Sequence, residues 1–369
     1  MLVILAVLLT VVGAENGFNS DCGHLRGRKA WESLAEDEKQ LFREAIAMAM
    51  KDGGYYDFAN IHQDKQSADE GHYTCAFGHW HRAIMLAFEN YLRDLDDKFK
   101  CLTIPFWDVS ESYAQGEPYI NSTSALTEIC GDPEMSATFS YPRLDFWMND
   151  QKVEGYRFDH FPCNESQRHV LRGPLHRSYV PDSLAYRRIR DLFVFDGVQD
   201  NFTNFHNRFY FEQHNSLHEA MGGVMSTMFS TDDPFFWIWH STVDSYYHLH
   251  QLCKLGPDPL TEEQFESPLA FGQCSMHNKY RSPLVYDNMT LYGKLGDMRV
   301  KATEHPKVGK YFRDIGTKYV NLLDIRQLGE SSYRYEYPWT LRAILGEVFD
   351  SNSCPGSKSR IQEISLHLE

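Results

Sequence analysis

The chain has 369 residues, enough for one large domain or two, and its 51 acidic against 36 basic residues give a formal charge of −15. That balance disfavours polyanionic partners, which sets nucleic acid and anionic membrane surfaces aside as expected ligands. Aromatic residues reach 14% beside 17 histidines, which suits an aromatic-lined core around nitrogen ligands or, equally, a merely aromatic-rich fold.

The opening run MLVILAVLLTVVGA is short, apolar and closed by the small residues Val12 and Ala14, so it predicts a signal peptide over residues 1–14, despite lacking a basic residue at its start. It is too short to span a bilayer comfortably, and no later segment offers the roughly 18 consecutive apolar residues of a membrane helix. Eight cysteines follow, at positions 22, 75, 101, 130, 163, 253, 274 and 354. An even number without CxxC or CxxH spacing suits disulfides in an oxidising compartment rather than a zinc finger. Sequons at Asn121, Asn164, Asn201 and Asn288 agree with a secretory route.

Ser33 to Glu36 reads as a capping box opening a helix, whose stripe of Leu41, Ala45 and Met48 runs to the stop at Gly53-Gly54. Aromatic and apolar residues then lead to His62, followed by a short polar segment. In GHYTCAFGHWHRAIMLAFENYLRDL, Met85, Phe88 and Leu92 recur at helical spacing and place His81 on the buried face. A buried imidazole needs partners, and the loop bearing His72 can bend back to it. His79, two residues from His81, points elsewhere and is read as structural.

Residues 131–205 are rich in Pro, Gly and aromatic residues with weak periodicity and read as long loops, as does the stretch from about 255 to 320. His160, His169, His176 and His206 have no ligand spacing and read as surface or structural. In HNSLHEAMGG, His214 and His218 stand four apart, so on a helix both imidazoles leave one face. Gly222-Gly223 ends that helix, and Asp233-Pro234 opens another that carries His240. Phe235, Phe236 and Trp237 are either core residues of that helix or an aromatic lining for a flat ligand. The chain closes in a tail over 341–369, with room for a short helix.

His62, His72 and His81 thus form one trio and His214, His218 and His240 a second. Two sets of neutral imidazoles suit copper better than calcium or magnesium, which prefer oxygen. Zinc and non-haem iron also accept imidazole, although iron sites usually add a carboxylate.

The same residues resemble the tyrosinase-like type-3 copper proteins, which comprise tyrosinases, catechol oxidases and molluscan haemocyanin units. GHYTCAFGHWHRAIMLAFE is similar to the family's copper A signature, carried by His72, His81, Arg82, Phe88 and Glu89. HNSLHEAMGGVMS with DDPFFWIWHSTVD is similar to the copper B signature, carried by His214, His218, His240 and Asp244. Ile104 to Asp108 resembles the family's L-P-Y-W-D segment, Arg28 to Trp31 its arginine-bearing start, and Leu322 to Tyr337 the tyrosine-containing end that packs on that arginine. The likeness covers roughly residues 22 to 340, and it implies a mainly α fold, a four-helix bundle core with long irregular loops and little β, in a copper domain over 15–340.

The resemblance implies two copper ions that together supply the two electrons dioxygen needs, and oxidation of small phenolic or catecholic substrates by O2 to o-quinones. Hydroxylation of a monophenol needs in addition a base acting through water. Asn215 occupies the family's place for the residue that holds that water, and Glu212 is the nearest candidate carboxylate. Three departures stand out. Trp239 replaces the first of two adjacent histidines, His62 precedes His72 by only ten residues, and Glu70 sits where some members carry a cysteine for a thioether link. Cys75 is close but differently offset, and a disulfide is its expected fate. An oxygen carrier would use the same ligands behind a covering domain, for which the 32 residues after Tyr337 are too few. A secreted, catalytically inactive metal-binding or structural protein is the third reading, motivated by Trp239.

Overall fold

The computed structural model describes Cys22, residues 26–108, the backbone of two strands at 143–148 and 151–157, residues 201–275 except 222, residues 280–342 except 340, and Cys354. The signal-peptide run, Cys130, Cys163, Asn121, Asn164, His160, His169, His176 and most of the tail lie outside the described residues.

The chain enters through β1 (Arg26–Lys29) and α1 (Glu36–Asp52). Ser33 does not cap α1. The Ala30–Phe106 bridge and a 3-10 turn over Trp31–Ser33, closed by Ser33 N–H to the Ala30 carbonyl, hold this stretch back. The helix therefore starts only after Ala35, whose N–H donates to Glu38 Oε2 at 2.9 Å, half of a capping box two residues later than expected. Gly53, at φ 88°, ends α1 as anticipated, and α2 (Gly54–Gln63) follows at once. The polar segment after His62 is itself helical. Asp64 accepts from Ser67 N–H at 3.0 Å and so caps α3 (Lys65–Tyr73).

The next helix, α4 (Phe77–Asp94), is buried on nearly all sides, not only along its Met85–Phe88–Leu92 stripe, because α1, α2, α3 and the later helices surround it. Close approach of α3 depends on Gly71, where a Cβ would lie 2.5 Å from the Trp80 ring.

Part of the region expected as loop is paired. β2 (Arg143–Met148) and β3 (Gln151–Arg157) form an antiparallel hairpin with a register shift between Leu144 and Phe146. That irregularity breaks the strict alternation by which a strand is read from sequence. Beyond it, α5 (Phe202–Arg208), a π-helical stretch (Phe209–His214) and α6 (Asn215–Met221) follow one another as one rod. The last long helix is α7 (Phe235–Leu255). Asp233 accepts from Phe235 N–H at 2.8 Å and caps it, as expected. The bundle core consists of α2, α4, the 202–221 rod and α7.

After α7 come α8 (Glu262–Phe265), a hairpin of β4 (Tyr292–Leu295) and β5 (Met298–Lys301), and α9 (Gly309–Asp314). The chain returns in β6 (Tyr333–Glu336), which pairs in parallel with β1. This pairing places β1 and β6 over α4 and α7. Arg28 reaches Glu89 of α4 at 3.0 Å and Asp244 of α7 at 3.5 Å, and its guanidinium lies 3.8 Å from the Tyr333 ring centroid. The tyrosine-bearing end thus packs on the arginine as the resemblance implied. Disulfides Cys22–Cys101, Cys75–Cys274 and Cys253–Cys354 close loops around this core.

Candidate metal centre

Five segments bring six histidines to the middle of the bundle. His62 stands in the last turn of α2, His72 in the last turn of α3 and His81 in the second turn of α4. One nitrogen of each lies within 4.8 Å of the other two. Their ring centroids are 4.8 to 5.4 Å apart. The link between α3 and α4 is fixed by Cys75, bonded to Cys274, which excludes a thioether from that cysteine. Glu70 is likewise committed: its carboxylate accepts from Thr290 N–H and Oγ1 and from the Tyr319 hydroxyl at 2.6 to 2.7 Å.

His214, His218 and His240 form the second group, again with one nitrogen each within 4.8 Å. His214 ends the π-helical stretch and His218 lies one turn on in α6. A π-helical turn adds a residue and so changes the face on which later side chains emerge, a local distortion frequent at functional sites. His240 comes from the second turn of α7. The groups adjoin: His81 and His240 stack with centroids 4.4 Å apart and planes 16° apart.

The second nitrogens explain the orientation of the rings. Nδ1–H of His72 donates to the Ala68 carbonyl at 2.9 Å, His81 to Phe77 at 2.8 Å, His62 to Met228 at 3.2 Å and His218 to Met225 at 2.6 Å. His214 donates to Asn215 Oδ1 at 2.9 Å. An acceptor at Nδ1 places the proton there and leaves Nε2 with a free lone pair. Nε2 of His62, His81 and His218 is buried without a hydrogen-bond partner among the described residues. A buried acceptor left open costs free energy, on the order of 1–3 kcal/mol, unless something occupies it. Three such atoms in two converging groups therefore fit a metal ion. His240 differs: its Nδ1 is the orphan, its Nε2 faces His214 Nε2 at 3.3 Å, and stacking on His81 and Phe236 holds its plane.

Burial pushes all six imidazoles below their ordinary range, His72 and His218 to about 4, so the rings are neutral at physiological pH, the state in which imidazole binds metal. Two phenylalanines contact both groups. Phe236 lies 4.9 Å from His62 and 4.1 Å from His240, and Phe77 lies 4.5 Å from His81 and 4.6 Å from His214. Of the aromatic run at the start of α7, only Phe236 lines the site. Phe235 packs on Trp107, and Trp237 stacks on Phe88 at 3.9 Å. Phe77 was not singled out in the sequence, although its place four residues before His81 puts it on the same helix face.

His79 lies apart from both groups, stacked on Phe202, and His206 is buried with Nδ1 2.8 Å from the Tyr247 hydroxyl, so both are structural as read. Trp239 is fully buried with its ring edge-on to Trp107, which removes it from the histidine cluster without disturbing His240. Asn215 serves His214 directly and also bonds the Tyr210 phenol. Glu212 is half-buried and makes no hydrogen bond to Asn215.

The common central domain of tyrosinase matches residues 52–252, which contain both histidine groups. Tyrosinase of Streptomyces lincolnensis is 26% identical over 237 residues, 60% of this chain and 80% of that protein. Hemocyanin 2 of Megathura crenulata is 27% identical over 259 residues, 65% of this chain but 7% of that protein. A polyphenol oxidase variant from Thermothelomyces thermophila superposes with TM-score 0.47 at 17% identity over 84% of this chain and 88% of its own, too loosely to bear on the site. The domain match spans more than half of the sequence, and the chain belongs to the tyrosinase family of type-3 copper proteins.

Proposed function

We propose that His62, His72 and His81 hold one copper ion and His214, His218 and His240 a second, and that the protein oxidises o-diphenols to o-quinones with dioxygen. The observation that supports this most is the repeated pairing of an acceptor-bound Nδ1 with an open, buried Nε2 in both groups. When bound, a copper pair supplies two-electron exchange between diphenol and dioxygen.

The rest falls to the chain. Helix carbonyls at Ala68 and Phe77 fix ring planes, which lowers the reorganisation needed on metal binding. Phe77 and Phe236 keep the rings dry and neutral. Asn215 orients His214, and its amide together with Glu212, three residues earlier, is the pair we assign to holding the water that takes a phenolic proton, which extends the activity to hydroxylating monophenols. Three disulfides and the apolar start support a secreted protein with a signal peptide over 1–14 and a copper domain over 15–340. Among the described residues no helix is long and apolar enough to cross a membrane. The hemocyanin similarity favours reversible oxygen binding as the second reading.

Copper counted per chain by elemental analysis, with oxygen uptake on L-DOPA and on tyrosine, tests both. Two coppers and uptake with L-DOPA are expected, and His62→Ala should lower the count to one. One zinc or no metal overturns the reading. An oxygenated spectrum without turnover supports the carrier, and uptake on L-DOPA alone removes the hydroxylase half.

A further inference from the structure

The two histidine groups share one backbone loop. His72, His81 and His214 direct Nδ1 to acceptors within their own helical segments, whereas His62 and His218 reach outside theirs. They reach the same four residues: Met228 O accepts from His62 of the first group and Met225 O from His218 of the second. Met225 is buried in the core, whereas Ser226, Thr227 and Met228 are exposed, so packing anchors this loop at its Met225 end and leaves the stretch up to Met228 open to solvent. Thr227 shapes it. Its Oγ1 accepts from Phe229 N–H and its carbonyl from Ser230 N–H, both at 3.1 Å, closing the turn that contains Met228. Just beyond, the 3-10 turn Ser230–Asp232 is tied to α2, since the Tyr55 hydroxyl donates to the Thr231 carbonyl at 2.9 Å and Gln63 Nε2 to Asp232 Oδ1 at 3.0 Å.

We infer that the Met225–Met228 loop couples the two groups, so that an ion held by one favours an ion held by the other, with Thr227 as the positioning residue. This rests on the reading of the groups as two ion sites. A His62 ring fixed through Nε2 cannot swing, and its Nδ1 then holds the Met228 carbonyl still. Ordering an exposed loop costs conformational entropy, and that cost is met once. His218 then finds the Met225 carbonyl already in place, which is positive coupling through the loop and is reciprocal. Charge repulsion between two cations acts in the opposite direction. Independent, repelling or unequal sites therefore leave half or more of the chains singly loaded at half saturation, while a coupling of about tenfold lowers that share to about a quarter.

The test is anaerobic titration of the full metal-free chain with Cu(I), counting chains with no, one and two ions by native mass spectrometry. For the unaltered chain we expect two ions at saturation and about a quarter singly loaded at half saturation. Thr227→Ala, and separately a glycine inserted between Ser226 and Thr227, should raise the singly loaded share to half or more while saturating at two. Thr227→Ser, which keeps the acceptor, should restore the behaviour of the unaltered chain. A share of half or more in the unaltered chain, or an unchanged quarter in both loop variants, overturns the coupling and leaves the two-site reading standing. Saturation below two ions in the unaltered chain overturns both.

Discussion

Replacing Asp244 by asparagine removes one charge from a site with no solvent to compensate for it. Asp244 Oδ1 accepts from Arg82 Nε at 2.6 Å, and Oδ2 accepts from the Tyr333 and Tyr335 hydroxyls at 2.5 and 2.6 Å and faces Arg28 at 3.5 Å. Arg26, Arg28 and Arg82 form ion pairs there with Glu89 and Asp244, so the substitution raises the local charge by one among buried groups. Removing one partner of a buried pair costs about 3–5 kcal/mol, because the remaining charge stays buried and unpaired. At about 2–4 °C per kcal/mol, the melting temperature should fall by on the order of 10 °C. Burial alone would raise the Asp244 carboxyl, but Arg82 and Arg28, with the two phenols, hold it below its usual value. A depressed folded pKa gives stability that is present above the unfolded value of about 3.9 and lost as pH falls through the folded one. The gap between the unaltered chain and Asp244→Asn should therefore be constant from neutral pH down to about 4 and narrow below it. Thermal unfolding of both proteins across that range is the assay. A loss under about 1 kcal/mol at pH 7, typical of an exposed pair, would refute the reasoning.

Gly71→Ala places a methyl 2.5 Å from the Trp80 ring, so α3 must move off α4. Denaturant unfolding should show a loss of about 1–3 kcal/mol, the usual cost of overpacking, and copper should bind more weakly at the neighbouring His72. Asp232 behaves oppositely to Asp244. Burial, opposed by the Gln63 bond and reinforced by Asp233, raises its carboxyl to about 7. The native chain then takes up a proton between about pH 4 and 7 that the unfolded chain does not, and stability falls as pH rises through that window. Asp232→Asn should be nearly neutral near pH 4 and stabilising by up to about 4 kcal/mol above pH 7, and equal stabilities at pH 8 would refute this.

Most of the site's composition could be read in the sequence because its signals are local. His214 and His218 share a face by helical spacing, His81 lies on the stripe of Met85 and Phe88, and Asp233-Pro234 marks the start of α7. Where a nearer contact outcompeted a local preference, the reading slipped. The pull of the Ala30–Phe106 bridge moved the cap of α1 from Ser33 to Ala35, and the register shift in β2–β3 hid a hairpin in what looked like loop.

The sequence by itself determined which residues are chemically suited to the site, since ring type and helical spacing are properties of neighbours along the chain. Only the tertiary structure decided how they meet. The 4.4 Å stack of His81 on His240 joins residues on different helices, and the π-helical turn before His214 sets the face from which it emerges. The carbonyls of Met225 and Met228 act through backbone that every residue possesses, so no side-chain pattern could announce them. Their role exists only because folding buries the histidines where each nitrogen must find a partner.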